Sequence, residues 1–258
     1  MIEYLEFILL GILQGITEFL PISSSGHLLL GRKLFNINEY GIIIEVFLHL
    51  GTLFSILLFW LSDIKYEIKK FTSGNSKYVN SIIIGTIPAA IVGFLFNDYI
   101  ENIFFDTNSI KYLSYNYLLL SILIFISKYF MNGTKNEITY KFAFLIGVIQ
   151  SFAILPGLSR SGLTIILGLY LGLNFKTSSK FSFMLAIPIL IFASIHSLID
   201  YLAFELFSIN FQLIIGSIFS FISGYYILIF LQRILQSNKF WYFSFYCFLL
   251  SMVLFYGI

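Results

Sequence analysis

Residues 14–28 read QGITEFLPISSSGHL, and this stretch puts polar chemistry inside an otherwise apolar run. Gln14 and Glu18 stand four apart and so share one face of a helix. Pro21 stops that helix, and Ser23, Ser24, Ser25, Gly26 and His27 follow, so a carboxylate, three hydroxyls and an imidazole meet at one turn. Residues 150–166, QSFAILPGLSRSGLTII, repeat the pattern, with Gln150 for Gln14 and Ser159-Arg160-Ser161-Gly162 for Ser23-Ser24-Ser25-Gly26. Each of these pairs is 136 positions apart. One frame shared by two distant stretches points to an internal duplication.

The surrounding composition says where these turns lie. Of 258 residues, 59% are hydrophobic and 11% charged, and the mean hydropathy is +0.91. A soluble domain does not stay dissolved with that balance, so the chain is expected to be an all-α polytopic membrane protein. The net charge of +2, with no block of Lys or Arg, gives no reason to expect a nucleic-acid partner. Cys247 is the only cysteine, which excludes an intrachain disulfide. The opening MIEYLEF holds two acids and no basic stretch, so no cleaved signal peptide is expected.

Apolar runs at 40–61, 79–96, 115–131, 181–199, 211–231 and 241–258 each approach the ~20 residues of a spanning helix. The motif regions differ. Residues 142–173 are broken at the centre by Pro156-Gly157 and 159–162, and two full crossings need about 40 residues. A hairpin that dips in and returns fits better. The expected architecture is one membrane domain of two repeats: 1–131, with hairpin 2–36 and the first three spans, and 141–258, with hairpin 142–173 and the last three.

Loop charge orients these parts. Segments 62–78, 132–141, 174–180 and 232–240, with Lys128, hold 11 Lys/Arg against three acids and are expected to be cytoplasmic. Glu3, Glu6, Glu39, Asp98, Glu101, Asp106, Asp200 and Glu205 fall on the opposite side, with only Arg32, Lys33 and Lys111. The second hairpin then enters from the cytoplasm and the first from outside. Three spans per repeat, an odd number, invert one repeat relative to the other, and the two broken helices meet near the midplane.

A helix that starts at a serine-rich turn presents free N–H groups and hydroxyls that bind anions, phosphate above all. Arg160 adds a planar fork suited to phosphate oxygens. Serines after a proline also serve as plain N-caps. Glu18 and Arg160 are harder to explain structurally, because charged groups at membrane depth cost at least ~2.5 kcal/mol. His49 and His196 lack such a context and are read as structural. Glu45 either lines the cavity or reaches outward, and Pro88 and Pro188 are read as helix kinks.

These residues resemble a known family. QGITEFLPISSSGH is similar to the Glu/Gln-x-x-x-Glu plus Ser-Ser-x-Gly-His signature of the bacterial undecaprenyl-pyrophosphate phosphatases, the family linked to bacitracin resistance, and PGLSRSGLTI to their PGxSRSG signature. EVFLHLGT, GTIPAA and FSFMLAIP also resemble family segments. The resemblance implies a bacterial plasma-membrane hydrolase that removes the terminal phosphate of C55 undecaprenyl pyrophosphate, with its site open to the extracytoplasmic side. It returns the monophosphate carrier to cell-wall synthesis. Glu18, Ser24, His27 and Arg160 are the implied catalytic residues. Ser23, Ser25, Gly26, Ser159, Ser161, Gly162, Thr164 and Gln14 are the implied substrate-binding ones. The implied mechanism has Ser24 attack phosphorus while His27 takes its proton, or His27 attack directly. Glu18 either orients His27 or holds Mg²⁺ or Ca²⁺, with Gln14 as a weak second ligand, since many members have a second glutamate there. Membrane lipid is an implied partner, and a homodimer is left open.

The other membrane lipid phosphatase superfamily, with its Lys-x6-Arg-Pro and Ser-Arg-x5-His-x3-Asp elements, does not match: no Lys or Arg precedes Arg32, and 163–172 holds neither His nor Asp. The alternative of a different class is a polyprenyl-phosphate transporter or flippase, using the same residues as an anion site.

Overall fold

The computed structural model of the protein describes residues 2–35, 37, 43–104, 109–204, 210–236 and 239–257. Glu39, Asp106 and Glu205 lie outside the described residues, and so do the side chains of Glu3, Asp98, Glu101, His196 and Asp200. Among the described residues all regular structure is helical, apart from one isolated bridge between Lys135 and Leu173.

The first motif folds as α1 (Ile2–Phe19), a turn and α2 (Ser24–Leu34); after it come α3 (Ile43–Phe59), α4 (Leu61–Thr72), α5 (Lys77–Phe104) and α6 (Ser109–Ser127). The second motif gives α7 (Tyr140–Ser151), a 3₁₀ turn at Phe152–Ile154 and α8 (Arg160–Tyr170), followed by α9 (Phe175–Phe204), α10 (Phe211–Gln236) and α11 (Phe243–Tyr256). At 11 residues each, α2 and α8 are about 16 Å long, half the ~30 Å of a bilayer core. By length and hydropathy Lys77–Phe96, Ile110–Phe130, Phe175–Ile195 and Phe211–Ile234 can cross a membrane, and α3 with α4, bent by 74°, makes up to five. Phe240–Tyr256 is apolar but shorter. Large apolar side chains such as Phe94 and Leu249 are more than 60% exposed, which suits a surface bathed in lipid.

Two elements depart from the sequence reading. Residues 62–78, read as a loop, hold α4, because Leu61, Ile64, Ile68 and Phe71 recur at helical spacing while Lys69 and Lys70 turn away from that stripe. None of its residues is buried, and Lys180 pairs with Asp63 to tie it to α9. The helix expected from 115 begins at Ser109, because Ile110, Leu113, Tyr117, Leu120 and Ile124 form one continuous buried stripe.

Helix packing is built on small residues. A Cβ on Gly11 of α1 would stand 2.3 Å from the carbonyl oxygen of Gly216 in α10, and a Cβ on Gly147 of α7 would stand 2.3 Å from that of Gly85 in α5. Gly11 and Gly147 are again 136 positions apart. Most of the main contacts follow the same exchange: α1 on α10 is matched by α7 on α5, α3 on α10 by α9 on α5, and α1 on α2 by α7 on α8, whereas α8 on α9 has no comparable counterpart among the described residues. The pairs α3–α9 and α6–α11 map onto themselves. Small residues let backbones approach where lipid offers no hydrophobic drive for helices to associate.

Candidate active site at the two opposed turns

Each returning helix starts with the same cap. The Ser23 hydroxyl accepts the Gly26 N–H at 3.4 Å, and the Ser159 hydroxyl accepts the Gly162 N–H at 3.1 Å. The turns are then stitched together: the Gly157 N–H donates to Ser23 Oγ at 3.0 Å, while Ser159 and Ser161 donate to the Leu20 carbonyl at 3.3 and 3.2 Å. Ser23 adopts φ 65°, a left-handed value that costs a non-glycine residue of order 1–3 kcal/mol and persists only where the surroundings enforce it. Glycine is required at position 26, where a Cβ would stand 2.5 Å from the Tyr117 hydroxyl.

This docking puts the first residues of the two half-helices, Ser24 and Arg160, on one carboxylate. Ser24 Oγ donates to Glu18 Oε2 at 2.5 Å, and Arg160 Nη2 donates to Glu18 Oε1 at 2.5 Å. Gln14 Nε2 also donates to Oε2, at 3.1 Å, a bond a second carboxylate at position 14 could not make. By helix geometry the N–H groups of 24 and 25, and of 160 and 161, have no intrahelical acceptor. Both N-termini therefore direct partial positive charge at the same place.

A cavity of about 280 Å³ opens there. Its polar lining includes Glu18, Ser24, Ser25, Ser159, Arg160 and Gln150, with Ser151 and Ser194 beside them; Glu45 and His49 of α3 close one side, and Ala89 and Gly93 of α5 with Leu190 and Phe192 of α9 form an apolar wall. Of the residues expected to bind substrate, Ser25 and Ser159 reach it. Ser23, Gly26, Ser161 and Gly162 sit behind it in the stitched turns, Gln14 props Glu18, and Thr164 bonds Ser182 at 2.6 Å to lock α8 on α9.

The histidines change places relative to the sequence reading. His27 is buried behind the turn and does not line the cavity: Nδ1–H donates to the Ser23 carbonyl at 2.7 Å, and the Tyr246 hydroxyl lies 2.6 Å from Nε2. Tyr117 brackets the ring from the other side, 2.9 Å from Nδ1. Glu18 bonds Ser24, Arg160 and Gln14 and is not seen to orient His27. His49, read as structural, faces Glu18 instead, with Nε2 3.6 Å from Oε2. Its Nδ1–H donates to the Glu45 carbonyl at 2.7 Å, so Nε2 is the nitrogen left for proton exchange. Glu45 lines the cavity and pairs with buried Arg32 at 3.2 Å. Sequence spacing carried no signal for His49, since the packing of α3 brings it to Glu18.

The divalent-cation site expected at Glu18 and Gln14 does not fit this donor set. Among the described residues no three His, Cys, Asp or Glu side chains gather around a metal-sized space. Both Glu18 oxygens already accept from cationic or neutral donors, which leaves the buried Gln14 Oε1, without a partner among the described residues, as one neutral ligand. A hard cation wants six or more oxygens. Calorimetric titration of Mg²⁺ or Ca²⁺ into substrate-free protein is expected to give no saturable binding at micromolar concentrations; a saturable site abolished by Glu18→Gln would contradict this.

Comparison with known proteins agrees with the two signatures. The model of the family described as bacitracin resistance protein BacA matches residues 7–253. A protein of Thermosipho africanus named undecaprenyl-diphosphatase is 40% identical over 257 residues, 98% of this chain and 99% of that protein. Another of that name from Halothermothrix orenii is 37% identical over 255 residues, 98% of this chain and 97% of that protein. Undecaprenyl-diphosphatase 4 of Bacillus thuringiensis is 36% identical over 255 residues, 98% and 96% of the two chains. With the match running from α1 into α11 and the likeness extending over nearly the full length of these relatives, the chain belongs to the bacitracin resistance protein BacA family.

Proposed function

We propose that this chain is an undecaprenyl-diphosphate phosphatase, a membrane hydrolase that cleaves the terminal phosphate from the lipid diphosphate at the two opposed turns. The observation that carries the reading is Ser24 held on Glu18 opposite Arg160, at two helix N-termini, in a cavity with one apolar wall. About 280 Å³ suits a headgroup, at the lower end of the ~300–1,000 Å³ of ligand pockets, and leaves the prenyl chain to pass along Ala89 and Gly93 into lipid. A Cβ at Gly93 would meet nothing within 4 Å, so that route is open.

In this mechanism Ser24 Oγ attacks the terminal phosphorus and its proton passes to Glu18 Oε2, replacing the His27 step expected from the family. The Oγ–P bond forms as the bridging P–O bond breaks, and the lipid monophosphate leaves with the electron pair and takes the proton from Glu18. Water then attacks the phosphoserine, Glu18 carries the water's proton to Oγ, and inorganic phosphate departs. Arg160 and the free N–H groups hold the charge on the equatorial oxygens, where positioning and electrostatics do most of the work. His49 stands next on the proton path, and any divalent ion is carried by phosphate oxygens and water. His49→Ala is expected to lower turnover about a hundredfold, well beyond Tyr246→Phe, which removes only a partner of His27. The reverse order in steady-state kinetics would return the proton to His27.

The exchange of helix contacts, the paired caps and the Gly11/Gly147 match support two inverted repeats, each a hairpin and three spans. The cavity lies at the start of α3 and near the middle of α5 and α9, away from the basic Lys65–Lys77, Lys176–Lys180 and Arg233 ends, which supports a site reached from outside the bacterial plasma membrane. Phosphate release from farnesyl diphosphate by detergent-purified protein tests the reading. Release without a second compartment is expected; binding without release would favour a transporter.

A further inference from the structure

Gln150 occupies in α7 the place that Gln14 occupies in α1, yet the two amides have different fates. Gln14 donates its Nε2 hydrogen to Glu18, whereas Gln150 is 2% exposed, lines the cavity beside Ser159 and Arg160, and neither its Nε2 nor its Oε1 has a partner among the described residues. Arg160 is half committed in the same way: Nη2 is held by Glu18 and buried Nη1 has no partner among those residues. Native structures rarely leave buried polar atoms unmet, and where several converge on one cavity a ligand supplies the missing partners.

Building on the proposed activity, we infer that Gln150 and Arg160 Nη1 form a subsite for the inner phosphate, the one that remains on the lipid, so that Gln150 makes the site select a diphosphate over a single phosphate. The terminal phosphate is fixed by the attack geometry of Ser24 and by the N-terminus of α2. The inner phosphate, one bridging oxygen away, then falls toward the α7–α8 side, where Gln150 Nε2 and Arg160 Nη1 lie, with the hydroxyl of Ser194 on α9 also unpartnered among the described residues. Gln150 offers Nε2–H to a non-bridging oxygen. Once the bridging bond breaks and the departing monophosphate takes up a proton, Oε1 is on hand to accept its P–OH. Gln14 cannot duplicate this role because it does not line the cavity and its amide nitrogen is turned to Glu18.

The test uses the full-length protein in detergent and two probes, methylenediphosphonate and inorganic phosphate, each titrated by calorimetry into wild type, Gln150→Leu and Gln150→Glu. Loss of one hydrogen bond to a charged group is expected to weaken methylenediphosphonate binding roughly ten- to hundredfold in Gln150→Leu, and more in Gln150→Glu, with inorganic phosphate unchanged. In turnover, KM for farnesyl diphosphate rises with the diphosphonate effect while the Ki of inorganic phosphate stays put. Equal weakening of both probes would mean that Gln150 merely supports the turn, and no weakening of either would remove it from the site; both overturn the inference. Because binding is measured without turnover, these outcomes stay distinct from wild type failing to release phosphate, which would instead sink the phosphatase reading.

Discussion

Glu18→Gln will lower phosphate release from farnesyl diphosphate by about a thousandfold, the size of effect that loss of a proton-transferring group produces. The substitution keeps the shape and one hydrogen-bonding oxygen but leaves no base for Ser24 and no counter-charge for Arg160. Its second consequence is on stability. Glu18 is buried and Arg160 nearly so, and breaking a buried pair from one side typically costs about 3–5 kcal/mol. The double variant Glu18→Gln/Arg160→Gln separates the two effects. Removing both charges should recover much of the thermal stability lost by the single variant while turnover remains lost. If the pair were only structural, activity would return together with stability.

Arg160→Lys is expected to lose about a hundred- to a thousandfold in kcat, and Arg160→Ala at least as much, within the range found when a charge-stabilising donor is removed from a phosphoryl-transfer site. Lysine keeps the charge but has no fork. In this site one arm of the guanidinium is fixed on Glu18 Oε1 and the other has no partner among the described residues, so a single ammonium cannot do both. An Arg160→Lys variant with wild-type kcat would show that bulk positive charge, not two-armed geometry, is what this position supplies. Steady-state kinetics with thermal unfolding in parallel gives the comparison.

How far these roles could be read from sequence depends on how local each cause is. Helix breaks at Pro21 and Pro156, the caps at Ser23 and Ser159 and the frame that aligns Ser24 with Arg160 are set by residues within a few positions of one another, and they were legible. The meeting of Glu18, Arg160 and the serine turns follows from two opposed hairpins whose tips meet near the midplane. The places of the two histidines were not legible, because His27 shares a polar turn with other candidates and His49 lies in an apolar run, and only packing decides the direction of each. His27 sits four residues after Ser23, so its ring folds back on that carbonyl and is caught by Tyr117 and Tyr246 from distant helices. His49 reaches Glu18 through the packing of α3. Likewise, Gln14 and Gln150 look equivalent in the chain, and only the structure shows that the first amide donates to Glu18 while the second lines the cavity with no partner among the described residues. Helix α4 was hidden for another reason: Asp63, Lys65, Glu67, Lys69 and Lys70 make its composition that of a polar connection, although Leu61, Ile64, Ile68 and Phe71 keep helical spacing.

The most direct measurement is rapid-quench trapping with farnesyl diphosphate labelled on its terminal phosphorus, followed by peptide mapping of the detergent-purified chain. The label is predicted on the peptide that holds Ser24, decaying as inorganic phosphate appears and absent from Ser24→Ala, which releases no phosphate. Label on His27 instead, or phosphate release retained by Ser24→Ala, would contradict a site in which Glu18 activates Ser24 opposite Arg160.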